Sequence, residues 1–543
     1  MRNPRSSTGL ARSVESALAA LCIVLGGCRS PVADVAGADR EAYEILNARR
    51  ADLGATTHFS IDPPPNALRV RLEQGEVLAP IDLVSSLTIA SENSRDYRRR
   101  MEDLYLAALD LTLERFRFAV QRDGTFSTLF KGNADGLTEA SSGFGAGLAR
   151  VLGTGASIVG DFGLSLARSL TGSSSDGITS DLSLSITQPL LRGFGERIVL
   201  EPLTQSERNV VYEVRDFERF RRTFAVDVAS RYFDILQQAD TVANERVNME
   251  NLVVLRQRNE ELALAGRLSD IQVDQALQDE LRSRNRLIQA EERLDALFDD
   301  FKFFLGLPID AKIQLDPDEL TGLEVDETLD IDEALAIDHA LRYRLDLQTS
   351  FDQSDDSARR VEVARDNLLA NVDITSRASA TSDVNDPLKY SKDNLSWNLG
   401  LDIDLPFDRV AERNAYRESL ITLERSRRTA TQLADQIRSD LRDSLRQAKN
   451  RLETFRIQQG AVQLAERRVE STTLNLQAGR ADTRDILEAQ EALLEARNAL
   501  TAARIDYHIS QLALWRDMEL LRVDESGIRM EREALHAPTR TEP

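Results

Sequence analysis

An internal duplication constrains the fold of this 543-residue chain more than any other feature of its sequence. The tripeptide Ala265-Gly266-Arg267 recurs 213 positions later as Ala478-Gly479-Arg480, and Pro189 is matched 217 positions later by Pro406. Each tripeptide separates two long segments without proline, and each proline precedes the first of them. Each copy is therefore predicted to contain a strand region, a long helix, a tight turn at glycine and a second long helix.

The predicted helices are much longer than those of ordinary globular proteins. The segment from Leu203 to Leu264 has neither proline nor glycine, so it can form about 90 Å of continuous helix. The segment from Glu412 to Ala478 is similar apart from Gly460. Return helices are predicted over residues 270–304 and 483–521. Each copy therefore predicts a long antiparallel helical hairpin.

An apolar stripe with a seven-residue period runs along the second return helix. It consists of Ile486, Leu493, Leu500, Tyr507 and Leu514, beside a stripe of Ala489, Ala496, Ala503 and Ser510. In the first return helix the corresponding stripe is interrupted only at Glu280. This period predicts left-handed supercoiling, and the small residues allow neighbouring helices to approach closely. A soluble coiled coil would explain the stripes equally well.

Segments in which apolar and polar residues alternate precede both predicted hairpins. From Leu395 to Leu405 every second residue is apolar, which is typical of a strand in a transmembrane β-barrel. Its predicted partner is 372–380, and the first copy has an alternating strand at 182–187. The further alternating stretch from Ile158 to Leu166 is compatible with an added hairpin or with a long loop beyond the membrane. A soluble sandwich would also alternate, and barrel closure would require several chains.

The N-terminus has the features of a lipoprotein signal peptide. Arg2, Arg5 and Arg12 precede an apolar run at residues 17–27, which is too short to span a bilayer as a helix. Residues 25–28 read Leu-Gly-Gly-Cys and resemble a lipobox, which implies cleavage before Cys28 and lipidation of that cysteine, with palmitate as one acyl group. The alternative is an ordinary signal peptide with a chance cysteine. No later stretch has 18 consecutive apolar residues, so any spanning part is predicted to be a barrel.

Charge and residue inventory argue against two other classes of function. The formal net charge of -22 has the wrong sign for neutralising nucleic-acid phosphates, so no nucleic acid is expected as a partner. The histidines at positions 58, 339, 508 and 536 lack metal-ligand spacing, and His508 is predicted to be a helix-surface residue. Gly193-Phe194-Gly195 lacks the further glycine and the lysine of a phosphate-binding loop. No catalytic site, cofactor or metal is predicted.

The junction between each strand region and its long helix resembles that of a known family. Residues 188–195 read QPLLRGFG in the first copy, and residues 405–409 read LPFDR in the second. Residues 305–308 (LGLP) close the first copy, and Ala340-Leu341 with Arg344 and Asp346 opens the second. In this order, over about residues 82–521, these landmarks resemble the TolC family of outer membrane factors.

The resemblance implies a mainly α-helical fold with a β-barrel part, formed by a homotrimer. Each chain would give four strands to a twelve-stranded outer-membrane barrel, and its long antiparallel coiled-coil hairpins to a periplasmic α-barrel tunnel. The chain would be a passive channel and not an enzyme. It would work with a periplasmic adaptor protein and an inner-membrane pump in tripartite efflux or type I secretion, and would contact outer-membrane lipid.

The resemblance also implies two kinds of site at the helix turns. The adaptor would contact the tips at Gly266, Arg267, Gly479 and Arg480, and Asp485 and Glu488 would ring the periplasmic entrance. The equivalent positions of the first copy are glutamines. From the residues alone, an exposed helix start favoured by the helix dipole is the preferred explanation of the acidic pair, and only with the resemblance do the two explanations become equally compatible with it. Arg480 and Arg484 are candidate salt-bridge partners that hold the tips shut, and they are equally compatible with solvated side chains.

The predicted organisation of the chain has six parts. They are a signal peptide at 1–27, a lipid-anchored polar lead at 28–80, a first repeat at 81–309, a linker at 310–330, a second repeat at 331–522 and a disordered tail at 523–543. The alternative function is that of a lipid-anchored structural coiled-coil protein of the periplasm without a pore. That alternative explains the lipobox and the seven-residue stripes, but it leaves the duplicated strands unexplained.

Overall fold

The computed structural model describes most of the chain, over residues 30–52, 59–62, 68–73, 80–133, 136–169, 177–323, 325, 329–478, 480–524 and 526–532. The chain divides into two compact units. The sheet unit comprises Met1–Ser60, Asp103–Val214 and Asp366–Arg409, and the helical unit comprises Ile61–Glu102, Arg215–Arg365 and Val410–Pro543. The predicted signal peptide and Cys28 lie outside the described residues, so lipidation stays a prediction.

The helices of the described residues include the four long ones that the sequence predicts. In chain order they are α1 (Pro31–Asp52), α2 (Leu68–Glu73), α3 (Leu83–Asn93), α4 (Arg95–Phe118), α5 (Glu196–Val199), α6 (Glu201–Leu264), α7 (Asp270–Leu305), α8 (Asp318–Thr321), α9 (Glu333–Tyr343), α10 (Leu345–Asp366), α11 (Val410–Gln477) and α12 (Thr483–Asp517). The boundaries of α6, α7, α11 and α12 agree with the prediction to within a few residues. None of the helices in these described ranges has the length and apolar character needed to cross a membrane.

Six antiparallel strands form one sheet, in which each strand pairs with its neighbours in sequence. They are β1 (Gln121–Asn133), β2 (Gly136–Val151), β3 (Ser157–Ser169), β4 (Gly177–Pro189), β5 (Asn371–Thr381) and β6 (Leu395–Asp404). The predicted partner of β6 is confirmed, since Val372 pairs with Ile403 and Ala378 with Trp397. Because side chains alternate across a strand, the pairing places apolar residues on one face and polar residues on the other.

The implied count of four strands per chain is wrong. Within the described residues, the first half of the chain contributes β1, β2, β3 and β4 to this sheet, and the second half contributes β5 and β6. The stretch from Ile158 to Leu166, whose placement the sequence left open, lies in β3 and pairs with both β2 and β4. The chain therefore carries one strand hairpin more than the resemblance implies, because β1 and β2 precede the predicted strands.

The polar lead contains an ordered helix. In the sheet unit, Ala42 and Leu46 of α1 are fully buried, and the Tyr105 hydroxyl donates a hydrogen bond of 2.7 Å to the Asp39 carboxylate. Tyr43 packs between the rings of Phe59 and Tyr105 at centroid distances of 6.2 and 5.8 Å. The segment is therefore held to the rest of this unit by apolar and aromatic contacts.

The helical unit is held together by an apolar core around the middle of its long helices. Its largest fully buried side chains include Tyr232, Phe233, Phe301 and Tyr507, and the Tyr232 hydroxyl donates to the Ile81 carbonyl at 3.1 Å. The predicted stripe on α12 is buried at Ile486, Ala489, Ala503, Tyr507 and Leu514. The members between them, Leu493, Ala496 and Leu500, are half-buried.

Glu280, the residue that interrupts the stripe of α7, has a charged partner. Arg256 of α6 donates hydrogen bonds to Glu280 and to Glu260. The side chains of Arg256 and Glu280 are only 20% and 18% exposed. The position that breaks the apolar period is therefore occupied by an ion pair between the two helices of the first hairpin.

The C-terminal segment is ordered at its start, in contrast to the predicted tail. Strands β7 (Leu521–Asp524) and β8 (Gly527–Met530) form a hairpin, and the Glu531 amide donates to the Leu520 carbonyl at 3.0 Å. Leu521 is fully buried and Gly527 has a positive φ of 106°. The prediction of disorder from residue 523 is wrong for this hairpin, whose short strands carry little periodic signal.

His508 is not the surface residue that the sequence predicted. Its imidazole packs edge-on against Phe233 at a centroid distance of 5.3 Å. Burial lowers its pKa to about 4, whereas a histidine in an unfolded chain titrates near pH 6.5. The imidazole is therefore neutral in the folded protein at neutral pH.

Acidification is expected to weaken the helical unit through His508. As the pH falls below 6.5 the unfolded chain binds this proton first, so the free energy of unfolding should drop by about 2–3 kcal/mol between pH 7 and pH 4.5. Thermal unfolding of the parent protein and of His508→Leu at both pH values measures this difference. The variant should be less sensitive to pH by that amount. Equal pH sensitivity in the two proteins would contradict the prediction.

Candidate functional site at the helix turns and the sheet faces

The turns of the two helical hairpins share an equivalent backbone hydrogen bond. At the first turn the Arg267 amide donates to the Leu262 carbonyl at 2.9 Å, and at the second the Arg480 amide donates to the Asn475 carbonyl at 2.8 Å. Gly266 has a positive φ of 68°, a conformation in which glycine is unstrained. Gly479 lies outside the described residues. The side chains of Arg267 and Arg480 are exposed, as a contact surface requires.

Asp485 has a structural role at the start of α12. Its carboxylate accepts a hydrogen bond of 2.9 Å from the backbone amide of Asp482, and the Asp482 side chain accepts from the amide of Asp485. This reciprocal capping box satisfies two amides that a helix start leaves without partners. At the matching position of the first turn, Ser269 makes no such side-chain bond. The acidity of the second turn is therefore explained at least in part by helix capping.

Glu488 lies one turn further along α12 and is exposed. Arg484 donates to one of its carboxylate oxygens at 3.0 Å, and Arg468 of α11 lies 3.9 Å from the other. Arg484 is thus a partner of Glu488, as the sequence suggested for this arginine. At such exposure these pairs contribute little stability.

Asn259 connects the two hairpins near their turns, and sequence reasoning missed it. Its side chain is 2% exposed, and its amide nitrogen lies 3.2 Å from the Thr483 hydroxyl and 3.4 Å from the Gln272 carbonyl. A small apolar cluster also joins α6 to α12 in this region, and it consists of Leu252, Leu255, Ile486 and Leu487. A signal was available, since Asn259 follows Leu252 and Leu255 at the spacing of an apolar stripe.

Further polar contacts join α6 and α7 to α12. Arg286 of α7 lies 3.3 Å from Glu491 of α12, and 3.4 Å from Glu245 of α6 within its own hairpin. The Thr501 hydroxyl donates to Asp240 at 2.7 Å, and the Asn244 amide donates to Asn498 at 2.9 Å. Near the turns, α7 and α12 flank a polar cavity of about 360 Å³. The hairpins are thus joined by hydrogen bonds and ion pairs as well as by apolar packing.

The polar face of the sheet is acidic. Among the side chains that the structure describes, its carboxylates are Asp123, Asp161, Asp181, Asp373, Asp402 and Asp404. Arg377 and Lys131 are the basic residues on this face among those whose side chains the structure describes. Short hydrogen bonds cross between strands here, such as the one from Thr381 to Asp181 at 2.7 Å. A water-filled space bounded by this face would attract cations.

The opposite face is apolar and exposed. Trp397 is 77% exposed and Leu399 67%, and both belong to β6. Phe126, Phe144 and Leu148 continue this face on β1 and β2. An exposed apolar face this wide is rare on a soluble monomer, because it leaves a large apolar area in water.

Comparison with known proteins identifies the fold. No family model and no curated protein sequence matches the chain. Among solved structures, CusC superimposes with a TM-score of 0.58 at 15% identity, over 86% of this chain and 98% of CusC, whose structures concern folding and transmembrane channel formation. The CmeC outer membrane channel of Campylobacter jejuni gives 0.59 at 14% identity, over 84% and 87%. The open MtrE outer membrane channel of Neisseria gonorrhoeae gives 0.57 at 11% identity, over 80% and 88%.

The chain has the fold of the TolC-like outer membrane factors, as the resemblance implied, with long paired helices and an antiparallel sheet. The sheet faces and helix turns described above lie on that fold. Within the described residues, no group of three or more His, Cys, Asp or Glu side chains has the geometry of a metal site.

Proposed function

We propose that this protein is a passive outer-membrane channel that exports substrate received from a periplasmic adaptor and an inner-membrane pump, in tripartite efflux or type I secretion. The observation that carries the proposal is the two-faced sheet. One face exposes Trp397, Leu399 and their neighbours, as lipid contact requires, and the other carries six carboxylates among its described side chains, as an aqueous lumen permits. A channel of this kind needs no catalytic site or cofactor.

The assembly would be a homotrimer. The sheet of one chain is open, and open sheet edges do not occur within the hydrocarbon of a membrane. Copies of the chain would therefore close the barrel together, and the long hairpins of the helical unit would line a periplasmic tunnel. Cys28 would add a lipid anchor in the outer membrane.

The helix turns would form the periplasmic end of the conduit. Gly266, Arg267, Gly479 and Arg480 would contact the adaptor, which the exposure of both arginines supports. Asp485 and Glu488 would lie around the entrance, and their exposure supports this placement.

Planar-bilayer recording of the detergent-extracted protein tests the proposal. Discrete channels with a preference for cations are expected, because both the sheet face and the entrance are acidic. The double variant Asp485→Asn with Glu488→Gln should reduce that preference or change the conductance. Glu495→Gln is the matched control, because Glu495 is exposed two turns further along α12.

The outcomes separate the parts of the proposal. If the double variant has the same conductance and cation preference as the parent protein, the selectivity lies in the sheet, and the proposed acidic entrance is refuted. A folded protein that releases from membranes on extraction and never conducts would support the lipid-anchored structural rod instead.

A further inference from the structure

The extra hairpin is a discrete insertion in the first half of the chain. Helices α3 and α9 begin 250 positions apart, at Leu83 and Glu333, whereas Pro189 and Pro406 are 217 positions apart. The difference of 33 residues matches one strand hairpin with its connection. In the second half α10 is followed directly by β5, and in the first half α4 is followed by β1 and β2 before β3.

The inserted hairpin continues both faces of the sheet. On the apolar face Phe126 pairs with Phe144, which in turn pairs with Leu164 of β3. On the polar face β2 has Gly145 and Gly147, opposite Thr125 and Asp123 of β1. A Cβ atom at Gly147 would lie 2.3 Å from the Asp123 carboxylate, and one at Gly145 would lie 2.7 Å from the Thr125 hydroxyl. The glycines thus leave room for the polar side chains of β1, so the hairpin is built as part of the sheet.

The two edges of the six-stranded sheet are complementary. Strand β1 has 13 residues and β6 has 10, and neither contains proline within its length. Because neighbouring strands are antiparallel throughout, β1 and β6 run in opposite directions. The edge of one copy can therefore form an antiparallel ladder with the opposite edge of a second copy, with apolar side chains on one side. Long edges without such a partner would promote aggregation.

We infer that β1 of one copy pairs with β6 of the next, so that three copies close an 18-stranded barrel. This inference rests on the proposed function, and it changes the barrel from the twelve strands that four per chain would give. Barrel diameter grows roughly linearly with strand number, so the opening would be about 1.5-fold wider. Such a barrel would admit bulkier cargo at the outer membrane, and the hairpin β1–β2 would be the part of the chain that sets this width.

Disulfide scanning across the edges tests the inference in outer membranes of cells that express the full-length protein. One cysteine is placed in turn at every polar-face position of β1 and a second at every polar-face position of β6, which covers all antiparallel registers. Covalent dimers and trimers are expected for a subset of pairs. In an antiparallel ladder the two residue numbers have a constant sum, so linkage of Thr125→Cys with Asn398→Cys predicts linkage of Ser127→Cys with Ser396→Cys.

Two controls accompany the scan. Ser379→Cys with Ser396→Cys should form a disulfide within one chain, because these hydroxyls are 2.8 Å apart on β5 and β6. The protein without added cysteine should form no linked species. Each variant is also tested for trimers and for conductance, so that misfolded variants are recognised.

The outcomes distinguish this inference from the proposed function. Linked trimers with a constant sum support the 18-stranded barrel. A conducting trimer in which no β1 position links to β6 overturns the inference and leaves the channel intact. Absence of both trimers and conductance overturns the proposed function. The inference is then overturned as well, because it rests on that function.

Discussion

Replacing Glu519 by glutamine is expected to destabilise the helical unit by about 3–5 kcal/mol, because it leaves buried positive charge without its counterion. The Glu519 side chain is 4% exposed and lies between Arg219, at 3.1 Å, and Arg222, which contacts its other oxygen. Arg222 is 9% exposed. Burial, together with the charge of the nearby Arg522, lowers the pKa of Arg222 to about 10.

The carboxylate is one part of a wider network. Arg219 also lies 3.4 Å from Asp346, and Arg344 donates two hydrogen bonds, of 3.0 and 2.8 Å, to the same carboxylate. Burial opposes ionisation of Asp346, but the two arginines outweigh it and lower the pKa of this group overall. Asp346 and Arg344 therefore pair with one another, and loss of Glu519 chiefly removes the carboxylate in contact with Arg222, which leaves Glu218 as the other acidic group acting on it.

Thermal or denaturant unfolding of Glu519→Gln measures the effect. The matched control is Glu466→Gln, which breaks the exposed pair between Arg497 and Glu466 at 3.1 Å and should change stability by at most about 1 kcal/mol. Adding Arg222→Leu to Glu519→Gln should recover part of the loss, because the uncompensated charge is then removed. Equal stability of Glu519→Gln and the Glu466→Gln control would contradict the prediction.

Loosening the contacts between the hairpins is expected to open the proposed conduit. Asn259→Ala removes the buried hydrogen bond to Thr483, worth about 1 kcal/mol, and leaves that hydroxyl unpaired. Arg286→Gln removes the ion pair to Glu491 of the other hairpin, which contributes up to about 1 kcal/mol at its exposure. The pair that it also removes, to Glu245, lies within the first hairpin and does not bias the separation of the two hairpins. If opening separates the hairpins here, a combined bias of about 1.4 kcal/mol raises the open fraction about tenfold.

Open probability in bilayer recordings, and uptake of large hydrophilic antibiotics by intact cells, measure this change. Asn414→Ala is the matched control. Asn414 is exposed on α11, and its side chain accepts a hydrogen bond from the neighbouring Arg413 of the same helix. The double variant should exceed either single variant. An open probability unchanged from the parent protein, in a variant that still forms trimers, would show that these contacts do not hold the entrance closed.

Local and periodic properties of the chain were predictable from its sequence. The four long helices agree with the prediction because breaks at Gly266 and Gly306 and the absence of proline are local features. Strand β6 and its alternating faces follow from a period of two residues, which any paired strand must share. The TolC-like fold followed from the order of these elements and from the residues at their junctions.

Contacts between distant parts of the chain were decided only by the tertiary structure. Asn259 meets Thr483 across 224 positions, and Arg219 meets Glu519 across 300. No periodicity relates such residues, so their roles could not be predicted. The same holds for the pairing of β4 with β5 and for the membership of β1 and β2 in the sheet, because a short alternating segment does not specify its partner. The sequence by itself determined the long helices and the strands with a clear period of two residues, because these properties are local, and tertiary packing determined the remaining strands and which charged and polar residues meet.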